Sequence, residues 1–213
     1  MIDKNIDYWD KIIKESPKVY KKSFDEEESY LIKNIKKDSK ILEVGCGTGR
    51  SLRQIINLTQ NITAIDHEKS AIIKAKKNFK KYSNVKILLA DARNLPFKDD
   101  FFDIVICMTT FSNFGDYKIE ILNEIYRVVK NNGTVIISMY GDNAFNERMK
   151  IYKKFKSPIK AIKGTTVYFH ERIGDNVSEQ FSKKQLTEIF NKTKLKIVEI
   201  KRAGIFYICK LRK

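Results

Sequence analysis

The sequence predicts an α/β protein built on a doubly wound, mostly parallel sheet. Three observations carry that prediction. From Lys40 onward, short apolar runs alternate with stretches of helical periodicity, as in chained strand–helix–strand units. The first of these runs breaks into glycines at alternate positions, Gly45, Gly47 and Gly49, and a helical pattern resumes within a few residues. The chain closes on two apolar runs joined only by Arg202-Ala203-Gly204, too short for a parallel crossover, so that pair is antiparallel. At 213 residues, with no linker-like tract and no internal repeat, one domain spanning residues 1–213 is expected.

Residues 5–37 read as two helices ahead of the sheet. Ile6, Trp9, Ile12 and Ile13 recur at helical spacing up to Pro17, and Tyr30, Leu31 and Ile35 mark a second segment. The acidic run Asp25-Glu26-Glu27-Glu28 before it would suit the positive end of that helix. Tyr8, Trp9, Tyr20 and Phe24 are read as core, with a lid over a pocket as the alternative.

Strand one is 41–44, followed by a helix carrying Leu52, Ile55 and Ile56; strand two is 62–65 and ends at Asp66. The next helix, 68–82, sets Ala71, Ile72, Ala75, Phe79 and Tyr82 inward and a lysine-rich face outward. Strand three, 85–90, ends at Asp91-Ala92, and strand four is 102–108. A helix with Ile121, Leu122, Ile125 and Val129 should stop at Asn131-Asn132-Gly133, ahead of strand five at 134–139. From 140 to 180 the alternation lapses. A basic helix at 146–156 leads to Ser157-Pro158, and 165–170 and 177–181 read as a hairpin around Gly174-Asp175-Asn176. Ser182-Lys183-Lys184-Gln185 is a capping box, with Phe181 and Leu186 as its hydrophobic staple. The closing strands are 195–200 and 205–209.

Net charge is +16, of which +12 falls after residue 149, where 17 Lys and Arg meet 5 Asp and Glu. A basic third of this kind can meet nucleic acid, but 34 of the 42 basic residues are lysine, whereas base-specific readers favour arginine. A solvated surface is the favoured reading. Cys46, Cys107 and Cys209 fit neither a metal-ligand spacing nor a disulfide framework and are read as reduced structural thiols. No apolar run spans the roughly 18 residues of a membrane helix and the N-terminus has no signal-peptide pattern, so a cytoplasmic protein is expected, with no metal site and no membrane partner.

The glycine loop lets the backbone turn sharply and come close to a ligand. Its order, Glu43-Val44-Gly45-Cys46-Gly47-Thr48-Gly49, departs from the dinucleotide pattern G-x-G-x-x-G, because the third glycine comes one residue early. Glu43 would also repel a pyrophosphate and welcome an ammonium. The stretch resembles motif I of the class I S-adenosylmethionine (SAM) dependent methyltransferases. Asp91-Ala92-Arg93-Asn94-Leu95-Pro96-Phe97 is similar to the D-A-x-x-L-P-F segment of their small-molecule subfamily.

That resemblance implies a seven-stranded sheet in the order 3-2-1-4-5-7-6, the last strand antiparallel. It implies N-terminal helices or a lid at 1–38, a SAM-binding core at 40–140, a substrate-side insertion at 141–181 and a final helix and hairpin at 182–213. The cofactor set implied is Glu43, Gly45, Cys46, Gly47, Thr48, Gly49, Asp66, His67, Asp91, Ala92 and Met108, with Leu95 as a further flank for adenine. Asp66 offers two acceptor oxygens to the two ribose hydroxyls, and Asp91 one to the adenine amino group. Near the methyl, Phe111, Asn113, Tyr140 and His170 are the catalytic candidates, His170 as a base. The expected reaction is methyl transfer from SAM to O, N or C of a small molecule, leaving S-adenosylhomocysteine. Methylation of tRNA, rRNA or a protein side chain is the alternative, a non-catalytic SAM-binding module the third reading, and an NAD-dependent reductase the fourth. The acceptor and the oligomeric state are not legible.

Overall fold

The computed structural model describes residues 11–170 and 177–213. Seven strands form one sheet: β1 (Lys40–Val44), β2 (Asn61–Asp66), β3 (Val85–Leu89), β4 (Phe102–Met108), β5 (Val129–Tyr140), β9 (Lys196–Ala203) and β10 (Phe206–Arg212). Their order is β3-β2-β1-β4-β5-β10-β9, and β10 runs antiparallel to both its neighbours. This is the expected plan, with the closing strands counted ninth and tenth because the insertion adds three strands of its own. Those are β6 (Ile159–Lys163), β7 (Thr166–Phe169) and β8 (Val177–Ser178), which form a separate antiparallel sheet. The insertion was expected to hold two strands, and β6 is the addition. The turn anticipated at Gly174-Asp175-Asn176 lies outside the described residues, as do Ile6, Tyr8 and Trp9.

Helices cover both faces of the large sheet. On one face α2 (Arg50–Ile55) and α3 (Lys69–Asn78) bring Leu52, Ile55, Ile72 and Ala75 onto Ile41, Ile62, Ala64, Ile104 and Ile106. On the other, α4 (Lys118–Val128) and α6 (Lys183–Phe190) bring Leu122, Ile125, Leu186 and Phe190 onto Leu42, Val44, Val105, Val135 and Ile137. Neighbouring residues of β1 thus point into opposite layers, which is why its sequence is an unbroken apolar run apart from Glu43. Both arms of the Ser182–Gln185 capping box form at the start of α6.

A third apolar cluster joins α1 (Lys18–Asn34), α5 (Phe145–Lys154) and the small sheet, through Tyr20, Tyr152, Val167, Phe169 and Phe206. It lies beside the carboxyl ends of the central strands, where Tyr20 and Phe24 meet the loop after β1.

Two local expectations are corrected. Pro17 opens α1, since its fixed φ suits a helix start, and so the acidic run lies mid-helix rather than in the first turn. Within that run Glu27 turns onto the buried stripe with Tyr20, Ser23, Tyr30 and Leu31, while the other acids stay outside. At the other site α4 ends at Val128, before Asn131-Asn132-Gly133, and β5 begins at once. Asn132 takes a left-handed φ of 62° inside β5, where the register with β4 shifts between Phe102 and Ile104. The Asn-Gly pair therefore makes a bulge in a strand, not the end of a helix.

Candidate active site

The loop after β1 is folded against the tip of β2. The N–H groups of Gly45 and Cys46 both donate to the Ile65 carbonyl at 2.9 Å, and Gly47 N–H donates to Asp66 Oδ2 at 2.8 Å. Asp66 Oδ1 accepts from Glu68 N–H at 2.9 Å, which ties the loop to the start of α3. The three glycines serve different ends. A Cβ on Gly45 would fall 2.3 Å from the Thr110 side chain, and one on Gly49 would fall 2.1 Å from the Phe79 ring. Gly47, at φ 53°, faces nothing within 4 Å, so its open side is the one turned to a ligand.

Two cavities meet at this crest, sharing Gly45, Asp66, His67, Thr110 and Asn113. The larger, about 430 Å³, runs past Ala90, Asp91, Ala92 and Arg93 toward Phe114 and Tyr117. The smaller, about 210 Å³, runs from Cys46, Gly47, Thr48 and Met108 toward Tyr20, Phe24, Tyr140, Tyr152 and Ser178. The larger cavity is thus lined by the carboxylates of Asp66, Asp91 and Asp116, and the far end of the smaller one by aromatic rings and hydroxyls.

Beneath the loop lies a set of buried charges. Glu43 is fully buried on β1; Ser51 Oγ donates to its Oε1, and its Oε2 has no partner. Burial pushes the Glu43 carboxyl up to about 7, with Ser51 and Arg50 pulling against that rise. Arg50 donates to Glu27 Oε2 at 2.9 Å and to Thr109 Oγ1 at 2.7 Å, with its guanidinium 4.3 Å above the Phe24 ring. Glu27 also accepts from Ser138 Oγ at 2.5 Å. One arginine thereby ties α1 to the loop helix and to the ends of β4 and β5. Asp91 is clamped by its own neighbour: Arg93 Nε reaches both carboxylate oxygens, at 2.9 and 3.1 Å, and its backbone N–H donates at 2.8 Å. The Arg93 side chain holds the Asp91 carboxyl below its usual range.

Residues 42–137 match a family described as "Methyltransferase domain". Over these residues, a little under half of the chain, the sequence is similar to that family. A demethylmenaquinone methyltransferase of Staphylococcus saprophyticus is 33% identical over 132 residues, which cover 59% of this chain and 56% of the relative. A malonyl-[acyl-carrier protein] O-methyltransferase of Bacillus cytotoxicus is 32% identical over 152 residues, 70% of this chain and 49% of the relative. The chain thus matches about half the length of these curated relatives. Among solved structures, a SAM-dependent methyltransferase from Methanosarcina mazei superposes with a TM-score of 0.65 at 23% identity, over 86% of this chain and 96% of that one. At that identity the likeness is one of fold.

The fold brings most of the expected residues to one crevice. Gly45, Cys46, Gly47, Thr48, Asp66, His67 and Met108 line the smaller cavity, and Asp91 and Ala92 the larger. Cys46 is buried, and burial raises its thiol well above the ordinary range, so it is an apolar wall rather than a nucleophile. Five residues fall elsewhere. Gly49 is the left-handed N-cap of α2, required by the Phe79 ring. Leu95 is 2% exposed and packs in the core with Phe102 and Ile125, because its side chain turns under the β3–β4 connection. Phe111 is fully buried among Phe114, Phe181 and Phe190, so it is packing and not a catalytic group. His170 is exposed at the end of β7, its N–H bonded to the Pro158 carbonyl, and it borders neither cavity. Glu43 lies under the loop and does not line either cavity. Asn113 and Tyr140 do. Arg50, Tyr152 and Ser178 went unnoticed in the sequence. Arg50 directly follows Gly49, which was a usable signal; the other two carry none. Among the described residues no group of three or more His, Cys, Asp or Glu comes together, and no helix is long and apolar enough to cross a membrane.

Proposed function

We propose that this domain binds SAM in the crevice at the crest of the sheet and methylates an O, N or C atom of a small molecule. The observation that carries this reading is the open face of Gly47 on the smaller cavity, which shares Gly45 and Asp66 with the larger cavity that carries Asp91. The residues fit the cofactor on a second count, since Glu43 Oε2 is a buried acceptor with no partner directly beneath the loop. Gly45 to Thr48, Glu43 and Met108 would hold the amino acid end. Asp66, with His67, would hold the ribose, and Asp91 and Ala92 the adenine, the former after releasing Arg93. When bound, SAM supplies an electrophilic methyl group on a sulfonium.

The protein's part is alignment. Holding an acceptor in the right geometry can remove several kcal/mol of barrier, about 7 or more in good cases, without an acid or base. The side chains at the acceptor end support such a role. Tyr140 is partly buried, and the desolvation of its hydroxyl raises it well above its ordinary range, so it keeps its proton and serves as a donor rather than a base. Asn113 borders both cavities, where a carboxamide can orient an acceptor by hydrogen bonds. The names of the curated relatives, which include a demethylmenaquinone and a malonyl-carrier methyltransferase, support methyl transfer to a metabolite.

Isothermal titration with SAM and with S-adenosylhomocysteine tests the reading. Binding that Asp66→Asn weakens is the expected result. Absence of binding at millimolar ligand would overturn it.

A further inference from the structure

Behind the acceptor end of the smaller cavity lies a buried cation that has no counter-ion among the described residues. Arg148, on α5, is fully buried. It donates to the Thr165 carbonyl at 3.0 Å, to Gln180 Oε1 at 3.2 Å, and to the carbonyl and, at 2.9 Å, the hydroxyl of Ser178. All of these acceptors are neutral. Its Nε has no partner, and among the described residues no carboxylate pairs with it. A buried arginine in a folded protein is normally paired, because an uncompensated charge in a low dielectric is costly.

The groups between Arg148 and the cavity carry that charge forward. The guanidinium lies 5.0 Å from the Tyr140 ring and 5.9 Å from that of Tyr152. Ser178 Oγ accepts from Arg148 and, at 2.9 Å, from Tyr152 Oη, which leaves the Ser178 O–H as the donor at the cavity wall. Tyr20 adds a fourth hydroxyl on the same cavity, buried and turned toward the Tyr140 hydroxyl. Burial keeps Tyr20 and Tyr140 protonated. The surroundings are apolar, with Ile12, Ile13 and Phe24 among them. The acids on this cavity, Asp66 and Glu68, belong to the tip of β2 and the start of α3 and do not pair with Arg148. This wall is therefore rich in donors, biased positive and short of acceptors.

We propose that this wall binds an oxygen-centred anion, a carboxylate or a phenolate, on a compact apolar body, and that this is the recognition group of the methyl acceptor. Tyr20, Tyr152 and Ser178 would touch the anion, and Arg148 acts through them as a positioning residue. The proposal rests on the methyltransferase reading above, and its test is built to fail separately.

Protein first shown to bind S-adenosylhomocysteine is saturated with it and titrated with benzoate, its neutral isostere benzamide, and 4-nitrophenol above and below its ionisation. Charge-assisted hydrogen bonds predict that benzoate binds at least about tenfold more tightly than benzamide, or that nitrophenol binds that much better once ionised; which of the two wins distinguishes carboxylate from phenolate. Tyr20→Phe and Ser178→Ala keep the local packing and should each weaken the anion several-fold with S-adenosylhomocysteine affinity unchanged. Arg148→Met should abolish the preference for the anion, and Arg148→Lys should restore part of it. Equal binding of charged and neutral probes, or no binding of any, with S-adenosylhomocysteine still bound, overturns the proposal. Loss of S-adenosylhomocysteine binding in the unaltered protein overturns the reading beneath it.

Discussion

Replacing Glu43 by glutamine should remove a pH-dependent destabilisation that the native carboxyl imposes. The side chain is fully buried on β1, one oxygen accepts from Ser51, and the other has no partner. Burial raises its folded-state pKa from the ordinary 4.5 to about 7. The sign follows from proton counting. Between those two values the folded protein holds a proton that the unfolded chain has lost, so stability falls as pH rises through that window and levels off above it. A gap of this size is worth about 3 kcal/mol in full, most of which falls between pH 5 and pH 8. Glutamine keeps the acceptor for Ser51 and is neutral throughout. At pH 5 the variant should match the native protein within about 1 kcal/mol, because the protonated carboxyl and the amide each leave one buried polar group unmade. By pH 8 it should be the more stable of the two by about 2–3 kcal/mol. Urea unfolding followed by circular dichroism, without ligand, measures both differences. A native-to-variant gap that stays constant from pH 5 to pH 8 would refute the assignment of a raised pKa to this carboxyl. The same variant should bind SAM more weakly at pH 8, since the loop then lacks the negative charge an ammonium would meet.

Gly47→Ala should fold with a loss of about 1–2 kcal/mol for its positive φ and bind S-adenosylhomocysteine poorly, because its Cβ enters open crevice; Gly49→Ala, which drives a Cβ into the Phe79 ring, should lose more stability, and thermal melts with titrations separate the two. Arg50→Met leaves Glu27 buried and unpaired and should cost about 3–5 kcal/mol, most of which the Glu27→Gln, Arg50→Met double variant should recover in the same urea assay. Phe111→Ala should destabilise by about 3–5 kcal/mol as a core deletion, whereas His170→Ala should leave both stability and methyl transfer unchanged in an assay of labelled methyl groups.

The features that the sequence discloses are those written over a few neighbouring residues. The alternation from β1 to β5, the antiparallel return of β10 and the capping box of α6 each follow from the spacing of apolar, glycine and capping residues within one turn or one strand. The loop is legible for the same reason, since successive positive φ values and close backbone approaches favour glycine, and three glycines at alternate positions are visible in the sequence. The failures share a different cause. Leu95 and Phe111 stand in segments that border the crevice, yet their side chains turn into the layer of α4 and α6, and nothing local separates the inward side of such a segment from the outward one. The acids of α1 were assigned to a helix start because the run was visible, while the buried role of Glu27 depends on Arg50 and Ser138, 23 and 111 residues away.

That contrast bears on how this domain divides its work. The cofactor end of the crevice is assembled from strand tips that any sheet of this order brings together, so its residues fall at fixed places in the chain. The acceptor end is assembled from α1, β5, α5 and the small sheet, elements whose mutual packing no periodicity encodes. Arg148 shows this most plainly. As a sequence it is one basic residue in a lysine-rich helix, and a solvated face is the natural expectation for such a helix. Its burial comes from Thr165, Ser178 and Gln180, and Ser178 stands 30 residues along the chain. A cation drawn under the wall of an apolar cavity by that packing makes a chemical statement about the guest, because no interior contact among the described residues neutralises it. The charge of the proposed acceptor is therefore the first property of this domain to measure, ahead of its identity.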